Sequence, residues 1–140
     1  MLRQATHPLS IRAPAQGLHE VTGEVCGWVQ EQHIITGLLT LFCRHTSASL
    51  LIQENAAPAA RRDLQDYFAR IAPEDPRLFT HNDEGPDDMP AHIRTALTQT
   101  QLTISVQDGR LMLGRWQGIY LFEHRRDPPD REIVLHLIGE

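Results

Sequence analysis

A long apolar segment, residues 34–43, constrains the fold of this chain more than any other feature. It is rich in β-branched and large apolar residues, which predicts a long and largely buried strand. Hydroxyl groups and one imidazole follow it at residues 45–49, and apolar character returns at residues 50–52. The pattern therefore predicts two strands that are separated by a polar segment.

Shorter apolar or alternating segments along the chain predict further strands. Asp108 and Gly109 separate two of them, and this dipeptide is typical of a hairpin turn. The predicted strands, besides the two above, are residues 9–13, 18–21, 102–106 and 133–138, and a strand region that begins at Leu111 and Leu113 and continues at 119–122, with a bend or bulge at Gly114 and Gly118.

Helical periodicity is confined to three segments. Thr22 can begin the first helix, which ends near Gln32, and Pro58 fits the first turn of the second. A short third helix can begin at Asp87 or Asp88. Two or three helices among roughly seven strands predict an α+β fold, and 140 residues suffice for one domain spanning residues 1–140.

Composition narrows the function classes. The net charge is -5, with 13 basic against 18 acidic residues, so we expect no nucleic-acid partner. No apolar run is long enough for a bilayer, and residues 1–7 lack the apolar core of a signal peptide, so we expect a cytoplasmic protein without a membrane partner. The spacing of Cys26 and Cys43 fits buried thiols better than a metal knuckle.

Residues 81–92 form the stretch richest in ligand-type side chains. They contain two histidines and four acids, and Gly85, Pro86 and Pro90 predict that most of the stretch is a loop. Almost nothing in it can fill a core. A folded loop of this composition is typical of a site for a cation, a phosphate–metal complex or proton transfer.

Two further polar clusters, residues 45–49 and 123–125, interrupt or end predicted strands. A buried polar group without a partner costs about 1–3 kcal/mol, so a site shared by all three clusters would satisfy them together. Imidazoles suit a divalent metal, guanidinium and hydroxyl groups suit phosphate, and carboxylates can orient ligands or move protons. The candidate metal ligands are His45, His81, His92 and His124; the candidate phosphate-binding residues are Thr46, Ser47 and Arg125; the candidate catalytic residues are Glu84, Asp87 and Asp88.

Simpler interpretations stay open for each residue. A histidine at a strand end is most often only hydrogen-bonded, and Asp87 and Asp88 can merely cap a helix. The chain has no Gly-x-Ser-x-Gly motif, which excludes the usual nucleophile elbow of serine hydrolases. It also has no lysine, which excludes a lysine-containing phosphate loop.

Several short motifs occur along nearly the whole chain. They are HTSASL at 45–50, ENA at 54–56, EGPDDMPAH at 84–92, GRL at 109–111, LG at 113–114, WQGIY at 116–120, EHR at 123–125 and GE at 139–140. Together, and in this order, they resemble the secondary thiamine-phosphate synthase family.

The resemblance implies a compact α+β domain with a folded, barrel-like mixed sheet that assembles as a homotrimer. It also implies a transferase that joins a thiazole phosphate to a pyrimidine diphosphate with loss of diphosphate, and a metal or anion near the motif histidines. We therefore expect a phosphorylated small-molecule substrate and zinc or magnesium as cofactor. One departure is Ala57, where that family usually has an aspartate that would cap a helix.

Two other functions fit the same residues. One is a trimeric module that binds a metal or a phosphorylated metabolite without turning it over. The other is a metal-dependent hydrolase, since zinc held by three imidazoles can activate water.

Overall fold

Two sheets and three α-helices make up the chain, as a computed structural model of residues 1–140 shows. The α+β class predicted from the sequence is confirmed. The strands are β1 (Arg3–Ile11), β2 (Gly17–Glu20), β3 (Gly37–Cys43), β4 (Ala48–Glu54), β5 (Gln101–Gln107), β6 (Arg110–Leu111), β7 (Gln117–Glu123) and β8 (Arg131–Gly139). The helices are α1 (Thr22–Glu31), α2 (Pro58–Ile71) and α3 (Asp88–Leu97), with a short 3-10 helix at Pro76–Leu78.

The strands divide into a five-stranded and a three-stranded sheet. The first, in the order β1-β8-β3-β5-β6, curls into a half-barrel, and the second has the order β2-β7-β4. Every pairing is antiparallel, whereas we expected a mixed sheet. The connections explain the difference, because α1 joins β2 to β3, and the segment with α2 and α3 joins β4 to β5. Both connections cross between sheets, so neither returns to a parallel neighbour.

The central strand β3 is buried on one face only, which corrects the expectation that residues 34–43 form a largely buried strand. Leu39 and Leu41 are fully buried, whereas Leu38 and Phe42 are 42% and 44% exposed. An antiparallel sheet packs one face on the core and leaves the other outside. The core lies between the two sheets and α1, and includes Val25, Val29, Leu39, Leu41, Leu50, Ile119, Leu121, Leu135 and Leu137.

Helix α2 covers the opposite face of the three-stranded sheet. Its Phe68 packs edge-on against Phe122 of β7, with ring centroids 5.3 Å apart. The helix begins without a side-chain cap, because its N-cap residue is Ala57. The Ala57 amide instead donates to Oε2 of Glu54 at 3.2 Å. None of the helices has the combination of length and apolar character that crossing a bilayer requires.

A buried polar network lies where β4 and β8 begin and β7 ends. Ala48 pairs with Glu123, so the ends of β4 and β7 lie side by side. Glu123 is fully buried and accepts a hydrogen bond from Nε of Arg131 at 2.6 Å. Nε2 of the buried His124 lies 2.9 Å from Oγ of Ser49. Burial, reinforced by the nearby Arg94 and Arg131 charges, lowers the pKa of His124 to about 3, so this imidazole is neutral at pH 7.

We predict that Ala57→Asp stabilises the protein by about 1 kcal/mol, since Ala57 has the extended backbone that an N-cap side chain requires. Urea denaturation followed by circular dichroism would measure the change. The matched control is Ala56→Asp, which adds the same charge one residue before the cap position. Equal shifts in the two variants would contradict a capping effect.

We also predict that acid destabilises the fold through His124. The unfolded imidazole gains a proton below about pH 6.5, whereas the folded one gains it only near pH 3. Between these values the unfolded state binds more protons, so the free energy of unfolding falls by up to about 1.4 kcal/mol for each pH unit lost.

Denaturation at a series of pH values would test this prediction. His124→Gln should flatten the slope between pH 6 and pH 4, whereas His33→Asn, which changes an exposed histidine, should leave it unchanged. A residual slope is expected from His45, whose pKa is also lowered by burial. Identical slopes for His124→Gln and the unaltered protein would refute the assignment.

Candidate metal centre

The start of α3 and the loop before it bring four potential ligands together. The loop supplies His81 and Glu84, and the helix supplies Asp88 and His92, which lie one turn apart on the same face. One ligand atom from each residue lies within 4.8 Å of all the others. The loop sequence, with Gly85 at a φ of 101°, folds the two loop side chains back onto the helix.

Three of the six distances between these atoms are close to those expected around a tetrahedral zinc ion. Nε2 of His81 and Nε2 of His92 each lie 3.2 Å from Oδ2 of Asp88. Nε2 of His81 lies 3.5 Å from Oε2 of Glu84. Zinc-ligand bonds of about 2.0–2.1 Å place neighbouring tetrahedral ligand atoms about 3.3 Å apart. These three pairs are therefore spaced as the ligands of such an ion would be, and all four ligand atoms lie within 4.8 Å of one another.

The carboxylate of Asp88 is the part of the cluster that most requires a cation. Asp88 is only 2% exposed. Its Oδ1 accepts a hydrogen bond from Nη1 of Arg125 at 2.6 Å, but its Oδ2 is buried and has no hydrogen-bond donor. The two imidazoles are close enough to Oδ2 for ion pairing but do not have hydrogen-bond geometry. A buried carboxylate oxygen in this state is costly unless a cation binds it.

The orientation of His92 also favours metal binding. Its Nδ1 lies 2.8 Å from the carbonyl oxygen of Thr46, and a carbonyl can only accept. The proton is therefore assigned to Nδ1, which leaves the lone pair of Nε2 directed toward Asp88. Residues 45–49 thus contribute to the cluster through a main-chain oxygen rather than through a hydroxyl group.

Arg125, at the end of β7, holds the loop in place. Its Nε donates to Oδ2 of Asp87 at 3.1 Å, and its Nη2 donates to the carbonyl oxygen of Glu84 at 2.9 Å. With the bond to Asp88, all three guanidinium nitrogens have partners. Burial raises the pKa of Asp87, but the Arg126 amide and the Arg125 guanidinium outweigh it, so the pKa lies below its usual value. Asp87 is therefore an ionised anchor, and its side chain does not cap α3.

The structure does not bring every predicted site residue to this cluster. Nε2 of His45 accepts a hydrogen bond from the Glu132 amide at 2.8 Å, and His124 is enclosed in the buried network. The carbonyl oxygen of Ser47 accepts from Nη2 of Arg131 at 3.1 Å. Of the predicted site residues, those brought together are His81, Glu84, Asp87, Asp88, His92 and Arg125, with the main chain of Thr46.

Sequence reasoning did not single out Arg131, which neutralises the buried Glu123. A signal was available, since an acidic residue that directly follows the apolar segment 119–122 needs a cation if it is buried. The sequence does not identify that cation, because Arg131 lies on β8, in the other sheet. It contacts Glu123 only in the folded protein, where the two sheets pack together.

The sequence matches a known family over most of its length. A family model described as UPF0047 protein YjbQ-like matches residues 7–140. A UPF0047 protein of Synechocystis is 49% identical over 138 residues, which cover 99% of this chain and 94% of that protein. The UPF0047 protein YjbQ of Escherichia coli O157:H7 is 40% identical over 133 residues, which cover 94% of this chain and 96% of that protein.

Solved structures agree with the fold. A conserved hypothetical protein of Thermus thermophilus has a TM-score of 0.81 at 33% identity, over 92% of this chain and 97% of that one. A YbjQ-like protein of unknown function from Sulfolobus solfataricus has a TM-score of 0.91 over the full length of both chains. Because the sequence identity is only 20%, this second similarity is evidence for the fold alone.

These comparisons correct the expected identity and activity. The assignment to a thiamine-phosphate synthase family was wrong, and so was the transferase reaction expected with it, because the matching family and relatives carry only the UPF0047 and YjbQ descriptions. Among the quoted motifs, GRL begins in a turn, EHR belongs to the buried network and EGPDDMPAH contains part of the polar cluster, and none of these features specifies a reaction. The chain belongs to the YjbQ/UPF0047 family.

Proposed function

We propose that the protein binds a divalent transition metal through His81, Asp88 and His92, with Glu84 as a fourth and weaker ligand. The observation that carries this proposal is the buried Oδ2 of Asp88, which lacks a donor and lies 3.2 Å from two imidazole nitrogens. A cation at this point gives the carboxylate its missing partner and uses both nitrogen lone pairs.

The ligand types favour zinc over magnesium. Two of the four ligands are imidazole nitrogens, which suit zinc and other transition metals, whereas magnesium prefers oxygen ligands in an octahedral arrangement. Both cysteines lie outside the cluster, so no thiolate contributes. The 3.2 Å from Oδ2 of Asp88 to each imidazole nitrogen is close to the spacing of about 3.3 Å expected around four-coordinate zinc.

Exposure favours a site that acts on other molecules over one that only stabilises the fold. The side chains of His81 and Glu84 are 49% and 62% exposed. Oε2 of Glu84 lies farther from Nε2 of His81, at 3.5 Å, than Oδ2 of Asp88 does, at 3.2 Å, and Glu84 can leave the metal without disturbing Arg125, which holds its main chain. Its departure would leave three protein ligands and one open position, which is the usual arrangement of catalytic zinc sites.

Hydrolysis is a second candidate function for the same cluster. A metal with an open position acts as a Lewis acid and lowers the pKa of a bound water to about 7. Glu84 is placed to accept a proton from that position. A cleft that adjoins His92 favours hydrolysis, because it is lined by hydroxyl groups that could bind a substrate. One of them is the buried Oγ1 of Thr95, which has no hydrogen-bond partner.

We predict that chelator-treated protein binds one Zn²⁺ per chain in isothermal titration calorimetry. Asp88→Asn, which retains an oxygen for Arg125 but loses the charge, should weaken binding at least about 100-fold, and so should His92→Asn. The matched control is His33→Asn, which removes an exposed imidazole outside the cluster. Zinc affinities that are equal in all four proteins would exclude the site.

The hydrolytic role predicts zinc-dependent cleavage of a simple ester such as 4-nitrophenyl acetate. Glu84→Gln should lower the rate roughly 100-fold, the size expected for loss of a general base, and change the zinc affinity far less. Asp83→Asn, at an exposed neighbouring acid, should leave the rate unchanged. An ester-cleavage rate that does not change when zinc is removed would contradict the hydrolytic role. Metal binding is tested separately by the calorimetric titration.

A further inference from the structure

A cavity of about 330 Å³ lies between α2, the end of β7 and Arg94 of α3. None of the four proposed metal ligands lines it. Two arginines, two glutamines and two phenylalanines supply most of its chemistry, and they are Gln16, Gln65, Phe68, Arg94, Phe122 and Arg126. The mixture of cations, amides and aromatic rings is typical of a site for a small organic molecule.

Arg94 is the most unusual residue of this cavity. It is only 7% exposed, yet no carboxylate lies within 4.0 Å of its guanidinium. Its Nη2 donates to the carbonyl oxygen of Ala72 at 2.9 Å, whereas its buried Nε has no acceptor. Buried charges in proteins are normally paired, because leaving water without a counter-ion is costly.

The acidic residues nearest to Arg94 are engaged elsewhere. Glu74 forms an ion pair with Arg126, and Asp87 forms one with Arg125. The cavity therefore contains two guanidinium groups and one carboxylate, since Glu74 also lines it. The sum of these charges is +1, which one monoanion would neutralise.

The remaining walls define the shape of such an anion. Oε1 of Gln65 accepts a hydrogen bond from the Leu18 amide at 2.9 Å, so the side-chain NH₂ group of Gln65 is left to donate. Phe68 and Phe122 add an apolar wall in which the two rings meet edge to face at 5.3 Å. A planar carboxylate matches the forked geometry of a guanidinium, and an apolar body matches the rings.

We propose that this cavity binds a small monocarboxylate with an aromatic or aliphatic body. Arg94 is the counter-ion of the carboxylate, Gln65 donates a further hydrogen bond, and Phe68 and Phe122 contact the apolar part. The site is separate from the metal cluster, so this proposal does not depend on the proposed metal binding.

The test uses benzoate as the carboxylate probe, benzamide as its neutral counterpart and inorganic phosphate as a second anion. Titration of ¹⁵N-labelled protein followed by NMR should show benzoate binding, with shift changes at Gln65 and around Phe68 and Phe122. Benzamide should bind at least tenfold more weakly, because it cannot neutralise Arg94. Phosphate should also bind more weakly than benzoate, because it lacks the apolar body.

Two arginine variants separate the cavity from non-specific charge. Arg94→Met should weaken benzoate binding at least tenfold, whereas Arg62→Met, on the exposed side of α2, should leave it unchanged. Equal binding of benzoate and benzamide, shifts outside the cavity, or tighter binding of phosphate would each overturn the proposal. These three outcomes are measured on the unaltered protein, so they test the proposal even if Arg94→Met does not fold.

Discussion

Three consecutive side chains at the end of β7 tie the two sheets and α3 together. Glu123 pairs with Arg131 at the start of β8, in the other sheet. His124 meets Ser49 on the neighbouring strand, and Arg125 holds the carboxylates that begin α3. Because each group is wholly or mostly buried, each needs its partner, and the loss of one would leave an unpaired charge or dipole inside the protein.

The same strand end connects the two proposed sites. Arg125 holds Asp88, whose free oxygen belongs to the metal cluster, and the next residue, Arg126, lines the cavity beside Glu74. The amide of Arg126 also donates to Asp87 at 2.9 Å. Charged groups on both sides of α3 thus depend on one short segment. Arg125 and the Arg126 amide connect this segment to α3 and to the loop before it through four hydrogen bonds.

Much of the secondary structure was predictable because it follows from the local periodicity of apolar residues. The predicted strands at 102–106 and 133–138 lie inside β5 and β8, and Asp108 and Gly109 form the expected turn at positive φ. The antiparallel arrangement was not predictable, since it depends on which sheet each connection reaches. The half-exposed Leu38 and Phe42 show the same limit, because residue type alone cannot say which face of a strand meets the core.

By itself, the sequence determined that residues 81–92 are dense in histidine and carboxylate and run from a loop into a short helix, and that they contain two of the four histidines expected to bind a metal, His81 and His92. Only the tertiary structure decided which histidines join the cluster, because Nε2 of His45 and Nε2 of His124 each bond to a partner that is distant in the chain. It also decided that Arg94 is a buried cation without a counter-ion. Ligand chemistry is a property of residue type, whereas burial and pairing arise only when distant segments pack together.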